Sequence, residues 1–252
     1  MDLFIVTGGS KGLGEQICKT ALDLGHSVVN LSRSKPNYKH SSLKHLSIDL
    51  SKSLNATKKL QSFLKRLNLA DYKKIHLINN AGMIHPVGSL VKLTPADIHQ
   101  HLETNLVSPV LLAQVVTEAA SVHKKSLTIF NVGSGASFYP ISGWSMYCTS
   151  KAGLKMFTEA TALDNKNYKN SRMSIYHFSP GVLDTQMQKQ IRGFSKKDFP
   201  RVNEFKKLKT DEQLQTPERV AKKVVAFCLN PKKFNIKDQL ISIQDLERSE
   251  VQ

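Results

Sequence analysis

An apolar run, Leu3-Phe4-Ile5-Val6, passes through Thr7 straight into Gly8, Gly9, Gly12 and Gly14. No other stretch limits the fold of this chain as strongly. A short apolar run suits a strand buried on both faces. Glycines directly after it, spaced G-x-x-x-G-x-G, mark a tight turn that takes positive φ and lets another group approach the backbone. The helical pattern of residues 14–25 follows and stops at Gly25. Strand, glycine turn and helix in this order open a βαβ unit, where free N–H groups and the positive end of the helix can hold a pyrophosphate. The spacing differs from the usual G-x-G-x-x-G form, and such a turn can equally be a plain strand–helix corner. Phosphate binding therefore needs support from further residues.

The rest of the chain repeats the alternation. Apolar β-type runs at 3–8, 26–33, 43–50, 74–82, 126–134, 173–181 and 238–243 are interleaved with helical patterns at 57–67, 94–120, 145–164 and 216–229. Thr94-Pro95 and Thr216-Pro217 are helix starts, with a Thr cap and proline at the first helical position. Strands alternating with helices over short connections predict an α/β fold. The expectation is a Rossmann-type, doubly wound parallel sheet of about seven strands in a three-layer α/β/α single domain over residues 1–252. The stretch 183–215 is polar and too long for a simple connection, so it is expected to be a helical substrate lid.

Bulk properties exclude several function classes. Hydrophobic residues make up 40% of the chain, enough for a sizeable core. No uninterrupted apolar run approaches the roughly 18–20 residues of a membrane span, so no membrane association is expected. Cys18, Cys148 and Cys228 lie far apart and form no CxxC pair, which argues against a disulfide framework or a metal site and for a reducing, cytoplasmic setting. The net charge of +16 would suit a nucleic-acid partner, but the basic residues are spread along the chain and read as a solvated surface.

At the end of the second strand a dinucleotide-binding unit that takes NAD places an acid. Here that end reads Leu31-Ser32-Arg33-Ser34. Arg33 can fork onto a 2′-phosphate, and Lys11 adds a second cation, so NADP(H) is expected over NAD(H). The alternative is that Arg33 is an ordinary surface residue. Tyr147 and Lys151 lie four apart, on one face of a helix. A nearby ammonium favours phenolate and would suit the phenol to proton transfer. Ser134, thirteen residues earlier at a strand end, can hold a carbonyl oxygen beside that phenol. Asn79-Asn80-Ala81-Gly82 ends another strand and can wall the adenine side of a cofactor. Asn105 sits mid-helix, where asparagine is a poor choice without a polar role. Pro180-Gly181 forms a turn that can run along a nicotinamide. Trp144, the single tryptophan, either packs an aromatic substrate or plugs loop to lid. Met187 and Ile191 face either substrate or core.

With these motifs in this order, the chain resembles the short-chain dehydrogenase/reductase family along essentially its whole length. "SGASFYPISGWSMYCTSKAGL" and "SPGVLDTQMQKQIR" are similar to its bacterial sepiapterin-reductase-like group, which includes benzil reductases forming (S)-benzoin. The resemblance implies a carbonyl reductase with Tyr147 as acid/base, Lys151 on the nicotinamide ribose, Ser134 on the substrate carbonyl and Asn105 holding a water of the proton relay. It implies cofactor contacts from Gly8, Ser10, Lys11, Gly12, Leu13 and Gly14, from Asp49 and Leu50 near the adenine, and from Asn80, Ala81 and Gly82. Pro180, Gly181, Val182 and Thr185 would lie along the nicotinamide. The substrate would be a small carbonyl compound, a ketone or 1,2-diketone, with a pterin as alternative. Homodimers or homotetramers would form through the helices at 94–120 and 145–164. One departure stands out: Gly133 precedes Ser134 where the family often has a second serine. A reading from another class keeps the fold without catalysis, as a dinucleotide sensor or nucleic-acid-associated protein. The intact Ser134, Tyr147 and Lys151 speak against it.

Overall fold

Strand β1 (Leu3–Thr7) is buried at every residue and lies in the interior of the sheet in a computed structural model that describes residues 1–167, 172–236 and 238–248. It pairs in parallel with β2 (Ser27–Ser32) on one side and β4 (Lys74–Asn79) on the other. β3 (Leu43–Ser47) lies outside β2; β5 (Ser126–Val132), β6 (Met173–Ser179) and β7 (Leu240–Ser242) continue beyond β4. The order is β3-β2-β1-β4-β5-β6-β7, parallel throughout. The order reverses between β1 and β4, the switch point at which such sheets open a crevice beyond their carboxyl ends.

Helices cover both faces, as parallel pairing requires. α1 (Gly12–Asp23) and α8 (Pro217–Leu229) pack against one face, where Ile17, Val220 and Val224 meet Phe4, Phe130 and Phe178. α2 (Ser53–Arg66), α4 (Ser108–Val122) and the long α5 (Ser145–Asn167) cover the other, with Leu60, Leu112 and Val116 on Ile5, Leu77 and Ile129. This is the three-layer arrangement expected from the alternation.

Three elements differ in detail from expectation. The single helix expected at 94–120 is α3 (Pro95–Leu102), a π-helical turn (Glu103–Val107) and α4. By length and composition the segment Pro95–Val122 could cross a membrane, but Leu112, Ala113, Val115, Val116 and Ala120 spend its apolar face in the core. The lid carries α6 (Gln186–Arg192) and α7 (Val202–Thr210), its two ends drawn together by a parallel bridge between Leu183 and Gln215 and by the ion pair of Lys209 with Asp184 at 2.7 Å. The last strand is shorter than expected because α9 (Ile243–Arg248) begins at once after it. Asp245 accepts hydrogen bonds from the Ser242 N–H and hydroxyl, at 2.8 and 2.6 Å, and Ser242 Oγ accepts from the Asp245 N–H. That reciprocal pairing is a capping box, and its S-x-x-D signature was readable in the sequence.

Candidate active site

A cleft of about 1150 Å³ opens at the carboxyl ends of the strands. The turn after β1 forms its floor. Gly8 has φ +71°, and a Cβ there would come within 3.2 Å of Ala81 and of the Asn80 side chain. The backbone of this turn is fixed from below. Gly9 N–H donates to Asn30 Oδ1 at 3.0 Å, and the Tyr38 hydroxyl donates to Gly9 O at 3.0 Å. Thr7 braces it to the next strand end: its Oγ1 accepts from the N–H groups of Asn80 and Ala81, both at 2.9 Å. The Asn-Asn-Ala-Gly turn is therefore a structural brace as well as a wall of the cleft. Sequence reasoning missed the part played by Thr7.

Of the expected cofactor residues, Gly8, Ser10, Lys11, Gly12, Leu13, Arg33, Asp49, Leu50, Asn80, Ala81, Gly82, Pro180, Gly181, Val182 and Thr185 line the cleft. Gly14 does not. It lies behind the loop, where a Cβ would strike the Gly8 carbonyl, so it serves the close packing of α1 on the turn. The end of β2 carries no acid. Arg33 faces the cleft together with Ser34, Lys35 and Asn37, the last three not anticipated from sequence. Asp49 is turned onto Ser51, accepting from its N–H at 3.0 Å and its hydroxyl at 2.8 Å. Partial burial raises its pKa, but these bonds and the Arg33 charge outweigh that and hold it below the ordinary value. A glycine-lined backbone floor with cations at the β2 end fits a dinucleotide.

Ser134, Tyr147 and Lys151 converge at the end of β5. Ser134 caps a 3₁₀ turn, its Oγ accepting from the Ala136 N–H at 3.2 Å. Tyr147 and Lys151 come off the first turns of α5, with Lys151 Nζ 5.8 Å from the centre of the Tyr147 ring. Lys151 is 4% exposed and donates to Val132 O at 2.7 Å. Burial brings its pKa down to about 8. Burial likewise pushes the Tyr147 phenol up to about 12, opposed by a side-chain hydrogen bond with Ser134. Both shifts follow from desolvation of the charged form, so the phenol moves opposite to the lowering expected from the neighbouring ammonium.

Asn105 does not line the cleft. It is buried behind Gly82, with Oδ1 accepting from Met83 N–H at 2.9 Å and Nδ2 donating to Met83 O at 2.8 Å. It sits within the π-helical turn, where the Ser108 N–H bonds the carbonyl of Glu103, five residues back. Four residues after Asn105 comes Pro109, which has no N–H, so the Asn105 carbonyl receives no bond from that position.

The departure at Gly133 also has a physical reason. A Cβ at Gly133 would fall inside the His177 imidazole. His177 is fully buried, with Nε2 2.9 Å from Ser137 Oγ, and burial holds its pKa down near about 3. The histidine on β6 occupies the space that a side chain at 133 would take, and it supports the turn that carries Ser134.

The substrate end is aromatic. Trp144 is 3% exposed and stacks on Phe199, with ring centres 4.6 Å apart and planes 3° from parallel. It meets Tyr147 edge-on at 5.5 Å. Met187 and Ile191 of α6 line the cleft there, joined by Ile84, Phe138, Tyr139 and Phe205. The lid is pinned to the opposite rim by the ion pair of Lys92 with Asp198.

Comparison with known proteins agrees with this geometry. The chain matches the short chain dehydrogenase family over residues 2–196. It is 39% identical over 221 residues to the benzil reductase ((S)-benzoin forming) of Bacillus subtilis, covering 88% of this chain and 90% of that one. It is 33% identical over 232 residues to the enzyme of the same description from Bacillus cereus, covering 89% and 92%. A short chain dehydrogenase/reductase of known structure from Saccharomyces cerevisiae shares the fold, with a TM-score of 0.80 at 22% identity over 96% of each chain.

Proposed function

The chain belongs to the short chain dehydrogenase family, and from that premise we propose that it is an NADPH-dependent carbonyl reductase acting on aromatic ketones and 1,2-diketones such as benzil. The observation that carries this reading is the meeting of Ser134, Tyr147 and Lys151 at the inner end of one cleft whose other end is a glycine floor flanked by Lys11 and Arg33. When bound, the reduced nicotinamide supplies the hydride. The residues Gly8, Ser10, Gly12 and Leu13 would hold its pyrophosphate, Arg33 and Lys11 the 2′-phosphate, and Val182 and Thr185 the nicotinamide end. Binding of a phosphate by a forked guanidinium distinguishes it from a ribose hydroxyl.

On the substrate side, Ser134 Oγ and the Tyr147 hydroxyl hold the carbonyl oxygen. A phenol with its pKa pushed up to about 12 stays protonated at neutral pH, which suits it to give a proton to that oxygen as charge develops there. Lys151, with its pKa lowered to about 8, is an acid strong enough to restore that proton by way of the polar groups around Asn105. Trp144 and the lid residues Met187 and Ile191 exclude water and offer an aromatic and aliphatic wall.

The pterin alternative has less support. Of the carboxylates near the C-terminus that would anchor a pterin, Asp245 lines the cleft but caps Ser242, and Glu247 forms an ion pair with Arg219 at 2.7 Å. The test is Tyr147→Phe with benzil and NADPH. Turnover should fall by at least about a thousandfold while NADPH still binds, as loss of a proton donor in a preorganised site predicts. Retained turnover would refute the role of Tyr147.

A further inference from the structure

His101 lies on the last turn of α3, fully buried, and the mechanism above does not use it. Its Nδ1 is 2.6 Å from the His85 carbonyl oxygen. A carbonyl only accepts, so Nδ1 carries the hydrogen and Nε2 is left as an acceptor. Asn105 Nδ2 donates to that nitrogen at 3.0 Å, and Ser150 Oγ lies against it, also at 3.0 Å. Ser150 stands between Tyr147 and Lys151 on α5 and donates its one hydroxyl hydrogen to the Tyr147 carbonyl at 3.0 Å. Met83 binds the Asn105 amide on one side, and His101 takes the remaining amide hydrogen on the other. One imidazole thus joins the helix before the π-helical turn, the asparagine within it, and the helix that carries the tyrosine and lysine. Its ring also meets Tyr147 edge-on, with centres 6.2 Å apart.

We propose that His101 is a positioning residue of the proton relay: its imidazole, which accepts the Asn105 amide on Nε2 and packs against Ser150 and the Tyr147 ring, holds that amide and the Tyr147–Lys151 turn of α5 in register with each other. This rests on the reductase reading of the site. The sequence carried a signal for it, since His101 and Asn105 are four apart and share a helical face.

The test uses three substitutions. His101→Gln keeps an acceptor at the reach of Nε2. His101→Asn keeps only a donor at the reach of Nδ1, toward His85 O. His101→Leu keeps neither. Two quantities are read: kcat and KM with benzil and NADPH, and the exchange rate of the Asn105 side-chain amide protons by NMR in the cofactor-free protein. Leu and Asn should lower kcat by about ten- to a hundredfold, as a small misplacement of reacting groups does, with KM for NADPH changed less than about threefold. Gln should restore kcat to within about threefold, the geometry being regained. The Asn105 amide should exchange slowly in the wild type and the Gln variant and at least about tenfold faster in the other two, having lost its acceptor. Wild-type kcat in the Leu variant, or an Asn variant that matches Gln, overturns the proposal. If the wild type turns over no carbonyl, the reductase reading fails. The amide exchange still decides whether His101 holds Asn105: slow in the wild type and Gln and fast in Leu and Asn upholds the contact, and equal rates overturn it.

Discussion

Lys151 holds its ammonium in a space only 4% exposed, and the chain is less stable for it. Its pKa falls from the ordinary 10.5 to about 8 on burial. The unfolded chain therefore binds a proton more strongly than the folded one, and this residue costs stability fully below about 8. The penalty shrinks as pH rises from about 8 to 10.5. Lys151→Met should abolish turnover yet unfold at higher denaturant concentration than wild type at pH 7. The stability gap between the two should narrow by about 1.4 kcal/mol per pH unit across that window. A variant less stable than wild type at pH 7 would mean that the bond to Val132 O outweighs desolvation. At this scale the sequence was most legible where the chemistry demands a residue type. Ser134, Tyr147, Lys151, Lys11 and Arg33 all face one cleft. Residues that act through other residues were less legible. Thr7 and His177 make their contacts across 73 and 40 positions of chain, and no local pattern records that; for His101 only the i, i+4 spacing to Asn105 is local, its contact with Ser150 spanning 49 positions. Gly133 looked like a departure until His177 was seen to fill its place.

Among the elements, the segment Pro95–Val122 departs most from its sequence pattern. Its apolar spacing and Thr-Pro start predict one helix, and both hold. The π-helical turn was hidden because Pro109 and Asn105 each look like isolated poor helix formers. They act as a pair, since a proline four residues on leaves the carbonyl of Asn105 without its usual donor. Pro109→Ala restores that N–H. We expect kcat to fall about tenfold or more while the melting temperature does not drop, because an alanine is the better helix residue. Parallel loss of activity and stability would mean that Pro109 only fills space. The capping box of α9 is written in the spacing of Ser242 and Asp245. The lid was recognised only by exclusion, as a stretch too polar and too long for a connection.

For the whole molecule, the fold was legible because most strands are short apolar runs alternating with helices, two of which open on a Thr-Pro start signal. That arrangement has few solutions once crossovers are right-handed. What the pattern does not encode is the use of the cleft. The switch point between β1 and β4 locates it, and the groups on its walls decide the chemistry. The account stands on the claim that these walls reduce a carbonyl with a phosphorylated dinucleotide. The most direct measurement is kcat/KM for benzil reduction by the purified chain with NADPH and with NADH, repeated with Arg33→Ala. Turnover to benzoin with at least about a tenfold preference for NADPH, lost in the variant, is predicted from the worth of a charge-assisted contact to phosphate. No turnover with either cofactor would contradict the reductase reading, and equal efficiency with both would contradict the assignment of Arg33 to the 2′-phosphate.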